Sequence, residues 1–368
     1  MIPEKYKKMI KLSEVEVTFN CGGLKKVTRE LSRKKVLVLV TESALKRQHI
    51  RNVLSALDLK NFTICSSIEP NPDIESVNKK TLSLKENGFE HIVAIGGGSV
   101  IDTGKALSVT LNIGEKKSIS QILAQGKNYQ TEKYLPLTAI PTTAGTGSET
   151  TPFATLWDRS SGKKYSLTNK IFYPKNAVLI PELTLSLPPK QTLYTALDTL
   201  SHALESIWNK KTTEDIRVLS ESAITLIVKN LPKTLIEPNV LRHRESLQLA
   251  SFLAGIAISR TKTAIAHSIS YPLTGHHGVP HGLACSFTLL ELLKRVKKEE
   301  FQPLKDSNLT KNLESMLMSL NLKNEMLRYV TNEQIKCHIP EMINRERADN
   351  FVLEIDEEVV SDIVRNSL

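Results

Sequence analysis

His91-Ile-Val-Ala-Ile95-Gly96-Gly97-Gly98-Ser99-Val-Ile-Asp102 is the stretch whose reading decides the fold. An apolar, β-branched run stops at three consecutive glycines, and a helix-compatible sequence follows through Leu111. A buried strand, a tight turn and a helix in that order make the first half of a βαβ unit. Glycines let a ligand approach the backbone closely, and the free N–H groups at the helix start suit a pyrophosphate. The spacing is not the G-x-G-x-x-G dinucleotide fingerprint. It is not a P-loop either, because Gly98 and Gly104 are one residue too far apart and Lys105 precedes Ala106.

Outward from this stretch the same alternation repeats. Lys35–Val40, Phe62–Cys65 and Leu135–Ile140 read as further short strands with helical segments between them. That alternation predicts a mostly parallel sheet. Phe153–Trp157 and Lys164–Leu167 flank Asp158-Arg-Ser-Ser-Gly162 and read as a β-hairpin. After Leu187-Pro188-Pro189 the pattern is helical, punctuated at Pro232, Pro238, Pro272, Pro280, Pro303 and Pro340. The proline pair cannot continue a helix interior or a central strand. The expected organisation is an α/β nucleotide-binding domain over 1–185 and an all-α domain over 186–368, with a ligand cleft between them.

The chain has 368 residues, enough for two ordinary domains, and 40% hydrophobic residues, enough to exclude global disorder. The longest apolar run near the start, Val36–Val40, is far short of the ~20 residues that span a bilayer. Met1–Lys11 is polar and basic, without the apolar core of a signal peptide. Four scattered cysteines with no C-x-x-C pair fit a reducing compartment, so the expected location is cytoplasmic, with no membrane association. The net charge of +10 is carried mostly by lysine without interleaved aromatics, which argues for a solvated surface or an anionic substrate and against nucleic acid.

Two further features carry chemistry. Pro141-Thr-Thr-Ala-Gly-Thr-Gly-Ser-Glu149 follows a strand and is dense in small hydroxyl residues and glycines. Like the triple glycine, it lies at a strand's C-terminal end, where open α/β sheets bind ligands. Four of nine histidines fall between 267 and 281, and Asp198-Thr-Leu-Ser-His202 puts a carboxylate and an imidazole on one helix face. Asp198, His202, His267 and His281 make a cysteine-free donor set suited to Fe(II), alternatively Zn(II), used as a Lewis acid.

Gly96-Gly-Gly-Ser-x-x-Asp102, Pro141–Glu149, Asp198-x-x-x-His202-Ala-x-Glu205 and His267-x13-His281-Gly282, in this order, resemble the iron-containing alcohol dehydrogenase family from about Lys35 to Phe287. The resemblance implies that family's dehydroquinate synthase-like architecture, an α/β dinucleotide-binding domain followed by a helical metal-binding domain. It implies metal ligation by Asp198, His202, His267 and His281. It places the pyrophosphate on Gly97, Gly98 and Ser99. Glu42, Asn71, Asp102, Thr142, Thr143, Thr146, Lys164 and Leu183 are the other cofactor-binding positions. Glu42 stands where NAD-using relatives carry Asp, so NAD(H) is favoured over NADP(H). A homodimer or larger assembly is implied as well.

Tyr271 replaces the histidine that many members carry four residues after the third ligand. That leaves the proton to Tyr271, to His276 or His277, or to water or a ribose hydroxyl. Thr150–Asp158, Gly162–Leu167, Ser201–Asn209 and Ile258–Leu273 are similar to phosphonoacetaldehyde reductases within the family. This implies reduction of a small anionic aldehyde, phosphonoacetaldehyde, to 2-hydroxyethylphosphonate. Lys163, Arg260, Lys262 and His276 are the candidate phosphonate contacts. The alternatives are a family member acting on a neutral alcohol, diol or aldehyde, and a metal-dependent lyase or cyclase of the dehydroquinate-synthase type.

Overall fold

The computed structural model describes residues 3–111, 118–125, 133–160, 163–299 and 301–368. The chain divides into two compact units. One holds residues 1–143 and 148–186, and the other holds 144–147 and 187–368. The division at 186/187 lies one residue from the expected 185/186. The insertion of Ala144–Gly147 into the helical unit was not foreseen.

The first unit is built on a six-stranded parallel sheet. Its strands are β1 (Glu16–Phe19), β2 (Val36–Leu39), β3 (Phe62–Cys65), β4 (His91–Gly96), β5 (Leu137–Pro141) and β8 (Asn176–Leu179). Their order across the sheet is β1-β8-β5-β4-β2-β3. Both faces of the central strands are buried, so these strands read as continuous apolar runs. Val36, Val38, Val40, Val93 and Ile95 enter one core, while Leu37, Leu39, Ile92 and Ala94 enter the other. The period of two in side-chain direction sorts them. β1 and β8 were not anticipated: each has four residues, and Glu16-Val-Thr-Phe19 is a half-exposed edge with little apolar signal.

The order of the strands reverses between β2 and β4, and that switch point is where open α/β sheets place ligands. Glu42 follows β2 there and the triple glycine follows β4. The helix Gly98–Thr110 packs tightly on the sheet at Gly104. A Cβ at that position would lie 3.1 Å from Leu137 and 3.3 Å from Leu39. The hairpin forms as expected from β6 (Phe153–Asp158) and β7 (Lys163–Thr168). The Ser161-Gly162 part of its turn lies outside the described residues.

The second unit is helical, with no strand among its described residues. The helices Pro189–Ile207, Glu214–Ile236 and Leu241–Thr261 pack on one another. Arg244, fully buried, binds two of them together: its guanidinium donates to Thr192 Oγ1 (2.7 Å), Pro238 O (2.8 Å) and Leu187 O (3.4 Å). Pro232 and Pro272, read as punctuation, lie inside helices. Buried neighbours such as Leu231 and Leu273 hold the backbone helical against a proline penalty of about 3 kcal/mol. No described helix is long and apolar enough to cross a membrane.

Candidate active site

The helix Pro189–Ile207 carries Asp198, His202 and Glu205 at i, i+4 and i+7, one buried face. Three imidazoles converge on a single oxygen of this face. His202 Nε2, His267 Nε2 and His281 Nε2 lie 3.4, 3.5 and 3.9 Å from Asp198 Oδ1. His202 and His267 are stacked at 4.8 Å between ring centroids, and His281 meets His267 edge-on at 5.1 Å. Of these four residues only His281 has a substantially exposed side chain.

Burial alone would raise the Asp198 carboxyl, but the three histidines hold it well below the usual carboxylate range. Burial lowers His202 to about 4, against the pull of Asp198. Burial also acts to lower His267, but Glu205 and Asp198 outweigh it and raise the ring to about 9. Fully buried Glu205 accepts from the backbone N–H of His267 at 3.2 Å and, through its other oxygen, from the ring Nδ1. In the neutral ring that contact would keep the proton on Nδ1, leaving Nε2, turned toward Asp198, as the atom a metal would take. Buried Nε2 has no hydrogen-bond partner of its own. An orphaned, correctly oriented imidazole nitrogen beside a carboxylate is what a divalent metal would satisfy, so the residues fit the metal.

Sequence reading missed two members of this site. Glu205 stood inside a quoted motif, seven residues after Asp198, and that spacing was its signal. Cys285, four residues after His281, belongs to the mutual set: Asp198, His267, His281 and Cys285 each offer a ligand atom within 4.8 Å of the others. Burial, Asp198 and Glu205 keep the Cys285 thiol protonated, and it donates to Asp198 at 3.6 Å. Gly282 is forced by packing, since a Cβ there would sit 1.8 Å from the Tyr194 carbonyl oxygen.

In the α/β unit the glycine-rich turn is built as expected. Gly97 caps the helix, Gly98 and Ser99 open it, and a Cβ at Gly97 would press on Thr143 at 3.3 Å. Thr142 N–H donates to Gly96 O at 3.0 Å, so the two ligand loops are stitched together. Asn71 sits in the left-handed region (φ 54°), and its N–H donates to Ser99 Oγ at 3.2 Å. Glu42 is exposed in the first turn after Thr41. Lys164 lies over the Trp157 ring at 5.9 Å.

Three further expected cofactor positions have partners within the protein. The Leu183 side chain is in the apolar core, so it offers a ligand only backbone. Asp102 spends both oxygens on the protein, accepting from Ser148 Oγ (2.5 Å) and Thr155 N (2.9 Å). Thr146 belongs to the helical unit with Gly145 and Gly147. These glycines are required by packing. A Cβ on Gly145 would meet Thr195 at 2.7 Å, and one on Gly147 (φ 59°) would meet Gly255 at 2.6 Å.

Of the expected substrate contacts, Lys163 lies in the α/β unit and Arg260, Lys262 and His276 in the helical unit. Lys163 is exposed on β7, opposite Asp158 on β6, and its side chain points away from the face of Lys164. Arg260 is exposed, whereas Lys262 is half-buried in a left-handed turn (φ 62°). Tyr271 accepts from Arg347 Nε at 3.2 Å. His276 and His277 do not join the Asp198 site. His276 pairs with Glu341 at 2.8 Å and His277 lies 2.9 Å from His338. Nine residues after His267 on one helix, His276 falls on the opposite face.

A parallel α/β unit with a ligand-ready switch point, joined in one chain to a helical unit with a three-histidine carboxylate centre, defines a class of metal- and nucleotide-binding proteins. Residues 15–181 match the family described as iron-containing alcohol dehydrogenase, and residues 192–335 match its C-terminal domain. The chain belongs to the iron-containing alcohol dehydrogenase family. It is 36% identical over 233 residues to the probable alcohol dehydrogenase EutG of Escherichia coli, covering 62% of this chain and 58% of that one. It is 38% identical over 223 residues to the phosphonoacetaldehyde reductase of Streptomyces viridochromogenes, covering 60% and 56%. The matches thus span less than two thirds of these relatives' lengths. The solved sulfoacetaldehyde reductase of Bifidobacterium kashiwanohense, in complex with NAD+, is 30% identical with a TM-score of 0.85, covering 96% of this chain and 97% of that one.

Proposed function

We propose that the protein is a metal-dependent, NAD(P)H-linked reductase of a small aldehyde, and that the aldehyde is phosphonoacetaldehyde, reduced to 2-hydroxyethylphosphonate. The convergence of His202, His267 and His281 on Asp198 Oδ1, with Glu205 behind His267, carries the reading. The anionic substrate is supported by likeness to two reductases named for acidic aldehydes. When bound, the metal, Fe(II) or alternatively Zn(II), would supply Lewis acidity and the nicotinamide a hydride.

The chain's own residues do the positioning. Asp198, His202, His267 and His281 hold the metal, and Glu205 keeps His267 in the ligating tautomer. The amides of Gly97, Gly98 and Ser99 receive the pyrophosphate, and Glu42 the ribose hydroxyls, which favours NAD(H). Lys262 is the cation assigned to the phosphonate. Its turn is pinned from inside, because Asn209 Nδ2 donates to Thr261 O (3.4 Å) and Lys262 O (3.5 Å). Tyr271, water or a ribose hydroxyl returns the proton to the product oxygen.

The test is NADH oxidation with phosphonoacetaldehyde beside acetaldehyde and propanal, on protein loaded separately with Fe(II) and Zn(II). A kcat/KM for the phosphonate at least about tenfold higher, about 1.4 kcal/mol of discrimination, is expected. Equal or faster turnover of the neutral aldehydes would replace it with the second reading, a neutral-aldehyde enzyme. The similarity to EutG supports that alternative.

A further inference from the structure

The two histidines that leave the Asp198 site form a cluster of their own. The far end of helix Ile265–His277 brings His276 and His277 against His338 and Glu341. His276 Nε2 lies 2.8 Å from one oxygen of Glu341, and His338 Nδ1 lies 2.8 Å from the other. The His276 and His338 rings are stacked at 4.6 Å between centroids. His338 is held from its other side, with Nε2 2.9 Å from His277 Nε2. His276, His338 and Glu341 each offer a ligand atom within 4.8 Å of the others.

We propose that His276, His338 and Glu341 form a second metal site, for a divalent first-row transition cation such as zinc. Two imidazoles and one carboxylate are donors of that cation class, whereas calcium and magnesium take oxygen ligands. His338 fits a ligand's role, because its second nitrogen already has a partner in His277 that fixes the ring's orientation. A cation would take the place of the ring protons that now face Glu341.

The frame is built independently of the cluster. His338 caps the helix Asn332–Cys337, which starts with a reciprocal Thr331/Gln334 capping box, and Glu341 lies in the following turn Ile339–Met342. Ser268, on the helix that carries His276, donates to Met342 O at 2.6 Å and accepts from Asn344 N at 2.7 Å. The donors therefore stand on two elements already fastened together. The site lies nine residues, roughly 13 Å of helix, beyond His267, and on the other face. A cation there clamps the helix end beside Gly278–Pro280, the turn that leads to His281.

The test counts metal on the tag-free whole chain, stripped and then dialysed against Zn(II), with bound zinc measured by mass spectrometry. Two equivalents are expected in the wild type and one each in His338→Ala, Glu341→Gln and His276→Ala. A rise in Tm on zinc addition should shrink in the same three variants. Loss of the second equivalent in these variants supports the site whatever the enzyme turns over. Zinc content that is the same in the wild type and the three variants, whether one equivalent or two, overturns it. Should His338→Ala fail to fold, the half-exposed Glu341 and His276 variants decide alone.

Discussion

Asp198 in the helical unit and Glu149 in the α/β unit are carboxylates equally removed from water, 4% and 2% exposed, yet their acidities move in opposite directions. Burial pushes Glu149 up to about 7, and its own backbone N–H and the cation of Lys105 only partly oppose this. Around Asp198 burial pushes the same way and loses to three convergent imidazoles. Burial alone therefore does not mark a working carboxylate. Partners converging from separate segments of chain do, and Asp198 has them in His202, His267 and His281.

The largest effect should come from removing that convergence. His267→Ala deletes one ring and strands Glu205 in an apolar interior. Turnover should fall by about 10³-fold or more, with metal lost on dialysis. NADH oxidation and a metal count check both, and a variant that keeps its metal and its rate would unseat His267 as a ligand. Glu205→Gln is gentler, since it preserves shape and weakens only the hold on the His267 tautomer. A loss of about 10–100-fold in metal affinity is expected. Unchanged metal retention would reduce Glu205 to packing.

The two pockets were not equally legible. The strand ending at Ile95, the triple glycine and the helix after it could be read locally, because each residue's conformation follows from its neighbours. Asp198 and His202 were legible for the same reason, four residues apart on one helix. Cys285 was harder, because what brings it to Asp198 is the close approach of Gly282 to Tyr194, a fact of packing. His276 and His277 were assigned by nearness in sequence to His267, and the helical turn sends them to another face. β1 and β8 escaped because each has only four residues: β1 is a half-exposed edge, and β8, buried throughout, is too short to show a period.

Glu149 offers the pH test. Its folded pKa, raised to about 7, exceeds that of the unfolded chain, so the folded state holds the extra proton. The stability this adds is complete below about 4.5 and is lost as pH rises through about 7. Glu149→Gln removes that loss. The variant should be more stable than wild type at pH 8, on the order of 1–3 kcal/mol, and the gain should shrink to near zero at pH 4. Thermal unfolding at both pH values measures it. Lys105, lowered by burial to about 8, has the opposite slope and is coupled to Glu149, so the difference at pH 8 reports the pair. A pH-independent difference would mean that Glu149 is ionised throughout.

The smallest effect is expected at His277. As the enzyme's proton donor, its removal would cost about 10²–10⁴-fold in kcat. Its ring instead lies 2.9 Å from His338, and burial together with His338 and His276 lowers its pKa. His277→Ala should therefore leave kcat and KM within about threefold of wild type, since a remote surface change costs little. Tyr271→Phe is the companion, because Tyr271 is the side chain left to return the proton. A kcat that falls in His277→Ala with KM unchanged, while Tyr271→Phe keeps full activity, would put His277 back into the chemistry. It would also require the end of this helix to turn toward the substrate.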